Sequence, residues 1–171
     1  MRSVTLMVTL LLLAVGPGLL AGCGTASGGM NGPTMSNRVG DVEGPPELQS
    51  NDVLAREQGT DRAIVKHILV GWRDLGRAYG GNLDERAGAR SRADADALAT
   101  QLLARVRAGA EIEPLMQEFS EDPGSRDGSP YTVTRDGQYV FEFKRLCLRL
   151  DVGEAGLVLT QFGWHVVRRT E

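Results

Sequence analysis

The chain carries two histidines, and each is central in an apolar run: Ile64-Val65-Lys66-His67-Ile68-Leu69-Val70 and Trp164-His165-Val166-Val167. A buried imidazole must find a hydrogen-bond partner or bear a desolvation cost of a few kcal/mol. If the two runs are neighbouring strands, the rings can bond each other and a hydroxyl such as that of Thr160, which fixes their tautomers and shapes the floor of a pocket. Asp122 precedes Pro123-Gly124, where an aspartate serves as a turn residue. Two histidines and one aspartate do not make a metal site, because no further ligand has suitable spacing. Tyr139, Phe143 and Trp164 can line an apolar pocket or belong to the core.

These side chains need elements to hold them. Ala63 to Val70 is apolar and β-branched apart from Lys66 and His67, which predicts a strand covered on both faces. Gly71 to Arg90 has glycines, charges and no clean period, and predicts a long loop. Its arginines, with Arg92 just beyond, suit a solvated surface open to contacts. Ser91 can cap a helix whose apolar positions Ala97, Leu98, Leu102, Leu103 and Val106 recur at helical spacing up to Gly109. A second helix is expected from Ile112 to Phe119, a short strand at Tyr131 to Thr134, and a third helix from Tyr139 to Leu150. Leu157 to Thr160 and Trp164 to Arg168 then read as a hairpin. The order β-α-α-β-α-β-β predicts an α+β domain, a small antiparallel sheet of about four strands flanked by helices, over residues 61–171.

The first 22 residues have the pattern of an export signal: Met1-Arg2-Ser3, an apolar run to Val15, a Gly-Pro-Gly break, then Leu20-Ala21-Gly22-Cys23. The apolar run is short of the roughly 20 residues a bilayer core requires. Leu20-Ala21-Gly22-Cys23 resembles the lipobox of bacterial lipoproteins, which implies lipid on Cys23 and a membrane anchor through it. Residues 23–60 are rich in Gly, Ser, Asn and Pro and read as a flexible tether. Gly24 is not the aspartate that retains some lipoproteins at the inner membrane, so the cell envelope, on the periplasmic side of the outer membrane, is the expected location. Cys147 is left without a partner, predicting no disulfide and a small buried hydrophobe. A net charge of −3, from 19 basic and 22 acidic residues, carries no nucleic-acid footprint.

Four segments, in order and over roughly residues 62–171, resemble the parvulin-type peptidyl-prolyl cis-trans isomerases. They are His67-Ile68-Leu69-Val70, Phe119-Ser120-Glu121-Asp122, Gly153-Glu154, and Thr160-Gln161-Phe162-Gly163-Trp164-His165-Val166-Val167. The resemblance implies an isomerase of Xaa-Pro bonds that acts on unfolded or partly folded exported polypeptides and uses no cofactor. It gives His67, Asp122 and His165 to the catalytic group and Tyr139, Phe143 and Thr160 to the substrate. Spacing to Gly153 favours Phe143 as the proline-pocket phenylalanine, whereas Phe141-Glu142 copies the family's Phe-Glu pair. Asp127-Gly128-Ser129-Pro130-Tyr131-Thr132 departs from the family's Gly-Gly-Asp-Leu-Gly, with Pro130 or Tyr131 standing in for a pocket-wall leucine. That departure also fits a parvulin-like chaperone or peptide-binding lipoprotein with weak or no catalysis.

Overall fold

The structure is a computed structural model that describes residues 45–57 and 59–171. The expected signal, Cys23 and most of the expected tether lie outside the described residues. None of the described helices is long and apolar enough to cross a membrane.

Four antiparallel strands form one sheet in the order β2-β1-β4-β3, with β1 at Arg62–Val70, β2 at Tyr131–Thr134, β3 at Ala155–Thr160 and β4 at Gly163–Arg169. This is the small sheet expected, with the helical runs between its strands. The longest helix, α3 at Arg92–Arg107, begins in a reciprocal cap: the Ser91 hydroxyl accepts the Asp94 amide, and the Asp94 carboxylate accepts the Ser91 amide. It is followed by α4 at Ile112–Phe119 and, after β2, by α6 at Phe141–Cys147. Three short helices complete the fold: α1 at Asn51–Leu54, α2 at Glu85–Ala89 and α5 at Pro123–Arg126.

Alternation along the strands divides the core in two. Ile68 and Val70 of β1, Leu157 and Leu159 of β3, and Trp164 and Val166 of β4 face α3 and α4. Val65, Val158 and Val167 face α6, whose Phe143, Leu146 and Cys147 pack on them. Trp164 is fully buried on the first face, where its indole donates to Asp96 at 2.6 Å, so it takes no part in a pocket beside the histidines. Cys147 is fully buried and unpaired, and burial pushes its thiol up from the ordinary range.

Ordered packing starts earlier than Asp61. Val53 is fully buried against α6, the Ser50 amide donates to Leu157 O at 2.9 Å, and the Leu157 amide donates to Ser50 Oγ at 2.9 Å. Arg107 adds a bond from Nη2 to Ser50 Oγ at 3.1 Å. The expected tether through residue 60 therefore overlaps packed structure. Its Gly- and Pro-rich composition hid one fully buried apolar side chain, Val53, with Leu48 and Leu54 partly packed beside the core, and a serine that bonds like a strand residue.

The turn between β3 and β4 depends on Gly163. Its φ is +127°, and a Cβ there would lie 2.5 Å from Val70 O on the adjacent strand. Positive φ costs a non-glycine residue about 1–2 kcal/mol, and the contact adds to that. Gly163→Ala should lower stability by about 2 kcal/mol or more in chemical denaturation, whereas Gly109→Ala, whose Cβ meets nothing within 4 Å, should lose only the backbone part.

Candidate functional site

The register of β1 and β4 sets Leu69 opposite His165 and His67 opposite Val167, so the two histidines are diagonal neighbours on the face that carries α6. Their ring centroids are 5.4 Å apart. The rings do not bond each other; each reaches away from its neighbour to a different partner. His67 Nε2 is 3.2 Å from Asp122 Oδ2, and His165 Nε2 is 2.9 Å from Thr160 Oγ1. The Nδ1 atoms of both rings have no hydrogen-bond partner among the described residues.

Asp122 reaches His67 because the segment before it is fastened to the end of β1. The Glu121 amide donates to Leu69 O at 2.9 Å, and the Leu69 amide donates to Ser120 Oγ at 3.2 Å. Ser120 in turn bonds the buried Ser125 hydroxyl at 2.5 Å. Asp122 is both turn residue and cleft residue: Oδ1 accepts the Gly124 amide at 3.2 Å to cap α5, while Oδ2 accepts the Tyr131 hydroxyl at 2.6 Å beside the His67 ring. Burial works to raise its carboxyl pKa, but the His67 and Tyr131 hydrogen bonds and the charge of His67 win and hold it well below the usual carboxylate range.

Phe143 closes the arrangement from α6, its ring centroid 5.2 Å from His67 and 5.0 Å from His165. The resulting cleft, about 280 Å³, has His67, His165 and Phe143 at its base, with Asp122, Tyr131 and Tyr139 around it. Phe143 is 5% exposed and lines this cleft, whereas Phe141 is 66% exposed and does not. Thr160, expected to meet the substrate, is 3% exposed and lies behind His165; it orients the ring and is not part of the lining.

The long loop supplies a wall that its sequence did not announce. Tyr79 donates its hydroxyl to Phe162 O at 2.6 Å, the two rings meet edge to face at 5.6 Å, and both line the cleft. Tyr79 lies in an aperiodic stretch where no pattern argument could reach it. Several of the loop arginines are not the solvated contacts expected. Arg86 bonds Asp84 and the Ser120 carbonyl, Arg90 holds Glu121 and the Gly71 carbonyl, and Arg92 lies over the Trp72 ring at 4.5 Å. Arg86 and Arg90 brace the loop against the 120–122 segment, and none of Arg73, Arg77, Arg86, Arg90 and Arg92 lines the cleft.

Residues 51–171 match the family described as PPIC-type PPIASE domain. The chain belongs to this family, the parvulins. Chaperone SurA of Chromohalobacter salexigens is 32% identical over 148 residues, covering 79% of this chain and 30% of that protein. Foldase protein PrsA 3 of Bacillus anthracis is 32% identical over 75 residues, 43% of this chain and 26% of that protein. The chain thus spans less than a third of the length of these curated relatives. Among solved structures, that of TbPIN1 gives a TM-score of 0.56 at 17% identity, covering 65% of this chain and 98% of that one. Peptidyl-prolyl isomerase ESS1 from Candida albicans gives 0.55 at 20%, covering 65% and 63%. These structures share the parvulin fold of four antiparallel strands with flanking helices.

Burial drives the His165 pKa well below the ordinary histidine value, and the His67 charge adds to this against an opposing pull from Asp122. A base whose folded pKa is depressed contributes stability above its unfolded value, about 6.5, and loses it as pH falls below that value. Melting temperature should therefore fall between pH 7 and pH 5. His165→Gln, which keeps a polar partner for Thr160 but cannot titrate, should be less stable at pH 7 and show a flatter decline across that interval.

Proposed function

We propose that this chain is an active peptidyl-prolyl cis-trans isomerase for Xaa-Pro bonds of exported, unfolded polypeptides, held at a membrane by lipid on Cys23. The observation that carries the catalytic part is the cleft in which Phe143 lies within about 5 Å of both histidine rings while the Asp122 carboxylate stands at its side.

The barrier to be lowered is that of amide resonance, about 18–20 kcal/mol. For an Xaa-Pro bond the isomers differ by only about 0.5–1 kcal/mol, so the difficulty is kinetic. Resonance places negative charge on the carbonyl oxygen and positive charge on the proline nitrogen, and both fade as the bond twists. A proline ring seated against Phe143, with the preceding carbonyl near Asp122, would meet a fixed anion that disfavours the planar, charge-separated form more than the twisted one. Such a differential effect lowers the barrier, and exclusion of water by Tyr79, Tyr131 and Phe162 strengthens it. No proton needs to move. His67 and His165 then act as a rigid floor: His67 orients Asp122, and His165, oriented by Thr160, supports Phe143.

The names of the relatives, chaperone and foldase, support a client that is an unfolded chain. The wall formed by Tyr131 in place of the family's leucine favours a second reading, a cleft that holds peptide without turning it over. A protease-coupled assay on short Xaa-Pro peptides separates the two. Phe143→Ala and Asp122→Asn should each reduce kcat/KM by about tenfold or more with the fold retained by circular dichroism. Absence of turnover by the unaltered, folded chain would instead leave a binding protein.

Membrane attachment rests on the lipobox resemblance of Leu20-Ala21-Gly22-Cys23. The expressed chain should partition into detergent phase, and Cys23→Ser should move it to the aqueous phase. Equal partition of both forms would remove the anchor from the proposal.

A further inference from the structure

A second depression on the surface is larger than the cleft. A groove of about 730 Å³ runs where α6 meets the end of β2 and the segment leading into β1. Its lining includes Arg135, Lys144, Arg145, Arg149, Phe141 and Leu148, with Glu57 the sole acid.

Most of the cationic charge in this groove is left over. Arg145 Nη2 donates to Leu54 O at 2.7 Å, Arg149 Nε to Arg56 O at 2.6 Å, and Lys144 Nζ to Arg135 O at 2.9 Å and Gly137 O at 3.1 Å. These partners are neutral carbonyls, which fix the side chains without cancelling them. Asp61 is occupied by Arg135, and Asp136, hydrogen-bonded to Thr134, also feels the charge of Lys144, which leaves Arg145 and Arg149 as the least compensated cations. Burial and the neighbouring Arg145 charge both pull the Arg149 guanidinium below its usual range, as expected of crowded like charges. Beside them Phe141, one of the two large hydrophobic side chains exposed among the described residues, presents its ring 66% to solvent.

We propose that this groove docks an acidic polypeptide segment bearing an apolar side chain, the apolar group lying on Phe141 and Leu148 and the carboxylates along Lys144, Arg145 and Arg149. Charge complementarity selects an acidic partner. Concavity, with cation tips pinned to backbone carbonyls and not projecting, selects a chain and not a flat lipid surface. The placement gives the groove a use. α6 is about 10 Å long, and it carries Phe143 into the cleft and Phe141 into the groove. A client held in the groove would raise the effective concentration of its own prolines at the cleft.

The test is fluorescence anisotropy of the full chain with a short labelled peptide of glutamates around one tryptophan and no proline, compared with its lysine counterpart. Because the probe has no proline, its binding is independent of turnover. The glutamate peptide should bind, the lysine peptide should not, and high salt should weaken binding. Arg145→Gln with Arg149→Gln, which keeps donors for the two carbonyls, should weaken binding about tenfold, and so should Phe141→Ser at an exposed position. Isomerisation of a short neutral Xaa-Pro peptide should be unchanged in these variants. Equal binding of the two peptides, or unaltered binding by variants that melt like the parent chain, would overturn the proposal. So would binding to vesicles containing phosphatidylglycerol with none to the peptide.

Discussion

Strand pairing has a period of two, so shifting β1 by one residue against β4 would carry every side chain on it to the other face. In the register observed, His67 and His165 share the face that α6 covers, and Ile68, Trp164 and Val166 share the face that α3 covers. The site depends on this constraint. A slipped β1 would send His67 into an apolar layer that offers no partner and would turn Ile68 and Val70 to the α6 side. The apolar cost of misregister and the polar cost of a misplaced histidine point the same way, which is why a polar floor for the cleft can be built from the middle of a core strand without loosening it.

Much of this was readable from residue order. The strands, α3 with its serine cap, and the exit at Gly109 follow from periodicity and capping chemistry, which are local. The adjacency of the two histidine strands was also inferable, because few other runs are comparably apolar. What could not be read was the direction each ring takes. That direction is set by the Ser120 and Glu121 bonds to Leu69 and by the turn that brings Thr160 under His165, contacts between residues far apart or around a bend. Tyr79 was invisible for the same reason, since its place comes from a carbonyl 83 positions away. The misplaced tether boundary has another origin: composition averages over a window, and one buried valine and one serine do not move the average.

Two adjacent carboxyls in the Phe-Ser-Glu-Asp segment show how environment divides labour. Glu121 is 5% exposed, and burial raises its pKa despite opposing bonds from the Gly71 amide and Arg90. Asp122, less deeply buried and met by His67 and Tyr131, is driven the other way. The first clasps the loop; the second presents a stable negative charge to the cleft. Exchanging their identities would not exchange their roles, because the backbone aims one inward at Gly71 and the other at His67.

The bonds from Ser50 and Gln49 to β3 have a consequence beyond holding the segment that precedes β1. They occupy the Leu157 amide and carbonyl and the Leu159 amide, main-chain groups on the outermost strand of that side. An unpaired strand margin is a template on which another extended chain can add itself. The opposite margin, β2, has only four residues. A protein proposed to spend its time among unfolded chains thus offers them little sheet to extend: the side chains remain available for recognition, while the backbone is closed to the irreversible growth that such company invites.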